Sequence, residues 1–262
     1  MSLQPEIISE TDDWIAVAKP SGWLTHRSEW DRSSEPLLQW VRDYNGGNHV
    51  YAIHRLDRAT SGVVLFAKNP KSAAELMAQF GDRNVQKVYF ALVRGFVKGP
   101  LLIESPLRAI RNDETKGDYE EATTQVEVIA NGILPVPLGS YSEQRLSLLK
   151  LMPKTGRTHQ LRRHLVKISH PIVGDSKYGD SKVNRLWKTL GQDRLALHAY
   201  SLDLTQTGRL VCPLPSDILA ACQIIHWHPE DSERIREWAR LEDPEREQEG
   251  RIKLQLLFRG ES

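Results

Sequence analysis

A single aspartate lies between two arginines in the stretch HRLDRATSG, which spans residues 54–62. The stretch joins two apolar runs, VYAI and GVVLFAKN, which we interpret as short buried strands. A lone aspartate most often occupies a turn, where Arg55 or Arg58 would neutralise Asp57. It can also act as a covalent nucleophile, because nearby guanidinium groups favour the ionised carboxylate. The pattern therefore marks Asp57 as a candidate nucleophile, with a turn residue as the alternative.

A second group of candidates lies in PKTGRTHQLRRHL, residues 153–165, which passes from a strand end through a glycine turn into a helix. The apolar residues of that helix recur at helical spacing, and Thr158 is placed to cap it. Because helix N-termini attract anions, Arg157 or Arg162 could hold a phosphate while the other faces a buried carboxylate. A plain amphipathic helix with a basic face is the alternative.

Other catalytic and metal-binding signatures are missing from the sequence. It contains no P-loop lysine motif, no GxGxxG turn and no GxSxG nucleophile elbow. His159 and His164 are five residues apart and diverge on a helix, so we expect no metal pair there. Cys212 and Cys222 lack metal-ligand spacing, and so few cysteines favour a reducing compartment over a disulfide scaffold.

Charge is distributed unevenly along the chain, although the formal net charge is only +1. Residues 145–198 contain twelve lysines and arginines against three acids, whereas residues 230–249 contain nine acids against four arginines. The basic segment indicates a polyanionic partner, with a solvated surface as the alternative. No apolar run approaches the roughly 20 residues of a membrane helix, and no signal peptide is recognisable. We therefore expect a cytoplasmic protein with no membrane partner.

The elements that must position these residues are of both kinds. Helices are predicted in EPLLQWVRDY, with Leu37, Leu38, Val41 and Tyr44 on one face, and in PKSAAELMAQF. Strands are predicted in DWIAVAKP, QKVYFALVRG, ATTQVEVIA, QRLSLLKLMP and LALHAYSLDL. Because strands follow one another as often as they alternate with helices, we expect an α+β fold with a mixed, largely antiparallel central sheet and flanking helices. Residues 95–117 are interpreted as a long loop or insertion.

Four ordered motifs resemble those of one enzyme family. HRLDRATSGVVLFAKN resembles the second motif of the RluA-type pseudouridine synthases, whose core is HRLDxxTSG. KPSGWLTHRS (residues 19–28) resembles their first motif, and KVYFALVRG (residues 87–95) the segment that carries their active-site tyrosine. TGRTHQLRRHL and HPIVGDSKYGD, within residues 155–180, resemble the third motif and its continuation. The resemblance covers most of the chain and is too ordered to be a chance match.

The resemblance implies a domain organisation as well as a fold. Residues 1–228 would form the pseudouridine synthase catalytic domain, with no S4-like domain before the first motif. Residues 229–262 would form a charged C-terminal extension that the resemblance does not cover.

The resemblance also implies a reaction and a set of site residues. Asp57 would be the nucleophile that isomerises uridine to pseudouridine, with no cofactor and no metal. Tyr89 would stack on the flipped uracil or act as a base on the sugar, and Arg162 would keep Asp57 ionised. Attack on the sugar C1′ and formation of a glycal remain alternative routes. The implied RNA-binding residues are Arg55, Arg58, Arg157, His159, Leu161, Arg163, Lys177 and Lys182.

The motifs most resemble a tRNA-directed branch of the family that acts on uridine 65 in the T-stem. The expected partner is therefore a tRNA substrate, and no protein partner is implied. Three alternatives remain at this point: an rRNA-directed synthase, a non-catalytic RNA-binding protein and a hydrolase with a carboxylate nucleophile. The hydrolase would need a second acid or base near Asp57, and the matching motifs show no obvious partner acid.

Overall fold

The computed structural model of the chain describes residues 4–26, 36–82, 84–111 and 114–235. Within these ranges, eleven strands form one large sheet and two further strands form a separate hairpin. The strands of the large sheet are β1 (Glu6–Glu10), β2 (Trp14–Lys19), β3 (Tyr51–Ala52), β4 (Ser61–Ala67), β5 (Gln86–Arg94), β6 (Leu101–Glu104), β9 (Thr123–Leu134), β10 (Gln144–Pro153), β11 (Leu197–Leu204), β12 (Gly208–Val211) and β13 (His226–Trp227). The hairpin consists of β7 (Leu107–Arg111) and β8 (Glu114–Glu120).

Helices flank this sheet in the described part of the chain. They are α1 (Leu37–Tyr44), α2 (Pro70–Gly81), α3 (Gln160–Lys167), α4 (Ser181–Thr189), α5 (Ser216–Gln223) and a short 3-10 helix (Pro229–Asp231). None of these described helices is long and apolar enough to cross a membrane.

The main path of the sheet runs β1-β2-β4-β11-β5-β10-β9-β13, with β3, β6 and β12 paired at its sides. Every described pair is antiparallel except β4 with β11, which run parallel through Ser61 with His198 and Gly62 with Ala199. The predicted α+β fold with a mixed, largely antiparallel sheet is therefore confirmed.

Strand β4 is buried on both faces, which explains its continuous apolar sequence. Val63 and Leu65 belong to the core cluster that includes Leu76 of α2. Val64 and Phe66 belong instead to the cluster that includes α1. Because successive strand side chains point to opposite faces, one helix covers each side of the strand that follows the HRLD loop. The loop is therefore attached to one of the most enclosed parts of the fold.

Two expectations from the sequence are wrong. The long loop expected over residues 95–117 is replaced by β6, which pairs with β9, and by β7 and most of β8. These strands are short, and the two of the hairpin are rich in charged residues, so none has the long apolar run that marks a buried strand. Tyr44 does not share the buried face of α1, because its hydroxyl donates to Glu10 Oε1 at 2.9 Å and its ring stacks on Trp40.

The chain remains packed against the sheet just past residue 228. The Asp231 carboxylate accepts a hydrogen bond of 2.8 Å from the backbone N–H of Asn131 in β9, and Ile235 is buried in the core. Residues 236–262, and residues 27–28 of the first motif, lie outside the described residues. The domain boundary at residue 229 stays a prediction.

Candidate active site

Asp57 lies in the loop between β3 and β4, and residues of the first motif form hydrogen bonds to that loop. The Lys19 ammonium is buried and donates three hydrogen bonds to the carbonyls of Pro20, Trp23 and Arg58, at 3.0, 2.8 and 3.2 Å. These bonds use all three donors of the ammonium. Two of them stay within the first motif, and the third joins that motif to the HRLD loop at Arg58. The sequence resemblance of KPSG therefore corresponds to a structural role in holding the nucleophile loop.

The loop is also fixed by close backbone approach. Thr25 exchanges two hydrogen bonds with the backbone of Leu56, at 3.1 and 3.2 Å. Gly62 has a φ of +126°, and a Cβ added there would lie 2.2 Å from the carbonyl oxygen of Ala199 in β11. Only glycine therefore permits β4 to approach β11 at this point, which explains the glycine of the motif.

Arg162, on α3, connects the Asp57 carboxylate to a second, fully buried carboxylate. Its Nη1 lies 3.3 Å from Asp57 Oδ2, and its Nε and Nη2 form a fork with the two oxygens of Asp175 at 2.8 Å each. Asp175 is only 1% exposed, and it also accepts the backbone N–H groups of Lys177 and Tyr178 at 3.0 Å. The guanidinium is thus held by one acid and presented to the other.

The charges of this group are mutually stabilised. Burial disfavours the ionised form of Arg162, but its bonds to Asp175, with Asp57 nearby, outweigh burial and raise its pKa. Burial likewise opposes ionisation of Asp175, and the bonds from Arg162 outweigh it, so the pKa of Asp175 is lowered. Asp175 lies in the GDSKYGD stretch, where the sequence marks it only as one acid of a basic segment. An aspartate can accept from the turn that follows it, but nothing in the residues next to Asp175 indicates Arg162 as its partner.

His159 and Tyr178 form the neighbouring wall of the site. His159 Nε2 lies 3.8 Å from Asp57 Oδ2, and its Nδ1 lies 2.9 Å from the Tyr178 hydroxyl. Burial lowers the pKa of His159 despite the Asp57 carboxylate, so the neutral imidazole is favoured. The Tyr178 ring also lies 5.0 Å from the Arg162 guanidinium carbon, which adds a cation–π contact.

The turn before α3 differs from the expectation. Thr158 does not cap the helix, which begins at Gln160 after His159 adopts a left-handed φ of +53°. The Gln160 side chain reaches back instead, and its Oε1 accepts from the Arg157 N–H at 3.0 Å and the Thr155 hydroxyl at 2.6 Å. A side chain inside the helix therefore satisfies the turn that a capping threonine was expected to satisfy.

A cavity of about 110 Å³ opens beside Asp57. Of the site residues proposed from the sequence, it is lined by Arg55, Asp57, Tyr89, Arg157, His159, Leu161 and Arg162. Arg58, Arg163, Lys177 and Lys182 do not line it. Arg58, Lys177 and Lys182 are exposed and Arg163 is half-buried. The structure thus separates the sequence-derived set into residues of the cavity and residues of the surrounding surface.

Two residues of β5 face this cavity. Burial and the Asp57 charge both raise the pKa of Tyr89, so its phenol stays protonated at neutral pH. Lys87 also lines the cavity, and its Nζ donates to the Thr155 carbonyl at 3.2 Å. Lys87 was not selected from the sequence, because a lysine near a strand end gives no signal of its own.

Comparison with known proteins agrees with this geometry. The model of the RNA pseudouridylate synthase family matches residues 13–167. The tRNA pseudouridine synthase C of Vibrio cholerae is 40% identical over 205 residues, which cover 75% of this chain and 84% of that protein. The protein of the same name from Haemophilus ducreyi is 42% identical over 217 residues, covering 79% and 88%. A further one from Pectobacterium carotovorum is 44% identical over 207 residues, covering 76% of this chain and 55% of its own length.

A solved structure shows the same architecture. Human RNA Pseudouridylate Synthase Domain Containing 1 superposes with a TM-score of 0.66 and 25% sequence identity, covering 86% of this chain and 89% of that one. The family match includes the HRLD loop, Tyr89 and Arg162, which the structure brings together around one cavity. The chain therefore belongs to the RNA pseudouridylate synthase family of isomerases.

Proposed function

We propose that this chain converts a uridine of tRNA into pseudouridine with Asp57 as the nucleophile. The observation that carries the proposal is the Asp57 carboxylate, 3.3 Å from Arg162 and open to a cavity that it shares with Tyr89. The name shared by the relatives, tRNA pseudouridine synthase C, supports tRNA as the substrate. The motif resemblance narrows the proposed target to uridine 65 of the T-stem.

In the proposed reaction, the bond between uracil N1 and the sugar C1′ breaks and the base is rejoined through C5. Asp57 either attacks C1′ or removes a sugar proton to give a glycal. Arg162 keeps the carboxylate ionised before attack, because an opposite charge within hydrogen-bond distance favours the charged form. Tyr89 stacks on the uracil, and Leu161 forms an apolar wall that keeps water from the base.

The uridine must leave its helix before it can enter the cavity, which costs a few kcal/mol. Arg55 is exposed at the rim of the cavity, two residues from Asp57, where its guanidinium plane can take the place of the flipped base in the stack. Arg157 lines the same rim and is held by Glu120 at 3.2 Å. Arg58, Arg163, Lys177 and Lys182 surround the site and would contact phosphates, which positions the RNA without reading its sequence.

The decisive experiment compares Asp57→Asn with Asp43→Asn on transcribed tRNA. Asp43 is exposed on α1, so its variant controls for the loss of one carboxylate. We expect Asp57→Asn to fold and bind tRNA but to form no pseudouridine, whereas Asp43→Asn retains wild-type turnover. Turnover by Asp57→Asn would remove the nucleophile assignment.

The substrate is tested separately by mapping pseudouridine in total RNA from cells with and without the gene. We expect one site to disappear, at position 65 of tRNA. Loss of an rRNA site would support the same reaction but would make this chain an rRNA-directed synthase, the alternative proposed from the sequence.

A further inference from the structure

The cavity beside Asp57 is also lined by Lys87, a cation whose charge the proposed reaction does not yet use. Lys87 is half-buried at the start of β5, and no described carboxylate forms an ion pair with it. Within the described residues, its ammonium donates one hydrogen bond, to the Thr155 carbonyl at 3.2 Å. An ammonium has three donors, so two remain for a ligand in the cavity.

The environment of Lys87 suits an anion that is present only part of the time. Burial lowers the pKa of Lys87 to about 8, and no nearby carboxylate compensates for that cost in the described structure. Removing a charge from water without a partner is unfavourable, so an anion that enters the cavity gains an unusually strong interaction. Arg162 differs in this respect, because Asp175 already satisfies two of its donors.

The position of Lys87 selects which anion this is. Lys87 and Tyr89 are two residues apart on one strand, so their side chains emerge on the same face of β5. Both line the cavity of about 110 Å³ that also receives the Asp57 carboxylate and Leu161. A base stacked on Tyr89 would therefore present an edge to the ammonium, whereas the phosphate-binding candidates Arg163 and Lys182 lie outside this cavity.

We infer that Lys87 is a further catalytic residue, whose ammonium donates hydrogen bonds to the uracil anion after the base has left the sugar. The inference rests on the proposed function and assigns a role within the same cavity. The groups that line the cavity around this anion include the phenol of Tyr89, the Leu161 side chain and the Lys87 ammonium, beside the Asp57–Arg162 pair.

On either route the reaction moves negative charge onto the base, where such a group stabilises it. When the N1–C1′ bond breaks, its electron pair stays on N1 and spreads to the two carbonyl oxygens of uracil. The negative charge lost by Asp57, on bonding to C1′ or on taking a sugar proton, thus appears on the base. It returns to Asp57 when C5 bonds to C1′, after which C5 loses a proton and N1 gains one. Lys87 donates hydrogen bonds throughout and transfers no proton.

The test measures single-turnover rates at saturating tRNA for Lys87→Met, with Lys71→Met as the control for one lost positive charge. Lys71 is exposed on α2, away from the cavity lining. Each enzyme is given two substrates, one with uridine and one with 5-fluorouridine at the target position. The rate is followed as the disappearance of that nucleoside, because fluorine at C5 prevents the final proton loss and only the steps up to C5–C1′ bonding can be compared. The electron-withdrawing fluorine stabilises the detached base anion without help from the protein. Binding is measured in parallel as a function of salt, and folding by urea unfolding.

We expect Lys87→Met to slow the uridine substrate about 100- to 1,000-fold, the range for removing one donor from a developing anion. We expect the deficit to shrink at least tenfold, by rough estimate, with 5-fluorouridine, because the substituent replaces part of the lost stabilisation. Lys71→Met should match the wild type on both substrates. The urea midpoint of Lys87→Met should not fall, since the change removes an unpaired half-buried charge.

Two results would overturn the inference. Equal slowing of both substrates by Lys87→Met would show a structural role. An unchanged rate, with the slope of log binding constant against log salt concentration smaller by about one, would show a phosphate contact instead. If Lys87→Met does not fold, Lys87→Gln with the same two substrates gives the same decision. Failure of the wild type itself to form pseudouridine would contradict the proposed function rather than this role of Lys87.

Discussion

Replacing Asp175 with asparagine removes the acid that holds the catalytic arginine. Asparagine keeps the size of the side chain and an oxygen that can accept the backbone N–H groups of Lys177 and Tyr178. It cannot accept two donors from Arg162, because one of its terminal atoms is itself a donor. The guanidinium, only 7% exposed, would then lose the bond from its Nε and the neutralising charge, and would keep one bond to the asparagine oxygen and the longer 3.3 Å bond to Asp57.

The expected loss of stability follows from this burial. Two charge-assisted hydrogen bonds of 2.8 Å join Asp175 and Arg162, and each such bond contributes about 1.5–3 kcal/mol. Removing one partner of a buried ion pair costs about 3–5 kcal/mol, which agrees with that sum. We therefore expect Asp175→Asn to lower the free energy of unfolding by about 3–5 kcal/mol. The single-turnover rate should also fall, because Arg162 is no longer held in place beside Asp57.

Asp217→Asn provides a matched control. Asp217 also forms a fork with an arginine, Arg194, but its side chain is 33% exposed against 1% for Asp175. Solvent replaces part of what this pair loses, so we expect a cost of about 1 kcal/mol and an unchanged reaction rate. Urea unfolding of both variants, with the midpoint and slope fitted together, measures the difference. If Asp175→Asn loses no more stability than Asp217→Asn, the reasoning from burial is refuted.

Three further predictions concern the fold and the site. Gly62→Ala should lower the free energy of unfolding by more than about 3 kcal/mol, because the added Cβ meets a β11 carbonyl and the backbone is strained at positive φ. Gly22→Ala, also at positive φ but in open space, should lower it by about 1–3 kcal/mol, and equal urea midpoints would contradict this difference. Tyr89→Phe should retain the single-turnover rate within about tenfold if stacking is its role, and a larger loss would assign a function to the hydroxyl. Burial lowers the pKa of His54 to about 3 and of His198 to about 4, so the unfolded chain binds more protons below pH 6.5 and stability should fall as the pH is lowered from 6.5 to about 4; a flat stability there would contradict it.

The parts of the fold with a strong local pattern were predictable from the sequence. The run GVVLFA and the helix that follows it correspond to β4 and α2, because one needs burial on both faces and the other begins with Pro70 after the capping Asn69. Strands β6, β7 and β8 were not predictable, since they are short and are stabilised by pairing with distant or charged neighbours. In these strands, the alternation of apolar and polar residues does not continue for enough residues to indicate a strand.

The site divides in the same way. Asp57 and its flanking arginines stand out within a few residues of sequence, and their motif resemblance extends this to Tyr89 and Arg162. Asp175 and Lys87 do not stand out, because their importance comes from what they face in three dimensions. An acid that binds an arginine on another element, and a strand lysine that ends in a cavity, have no signature in the residues next to them.

The parallel contact between β4 and β11 has a consequence for protein synthesis. The loop with Asp57 leaves the ribosome before β11, so β4 gains this parallel neighbour only when the chain has grown past residue 197. Arg162 follows Asp57 by 105 residues, and His198 follows its partner Ser61 by 137. A nascent chain that ends before Arg162 has the nucleophile but neither its arginine nor the strand that fixes its loop. The site is therefore completed only after β11 has been made, so a shorter chain has no finished site with which to modify RNA.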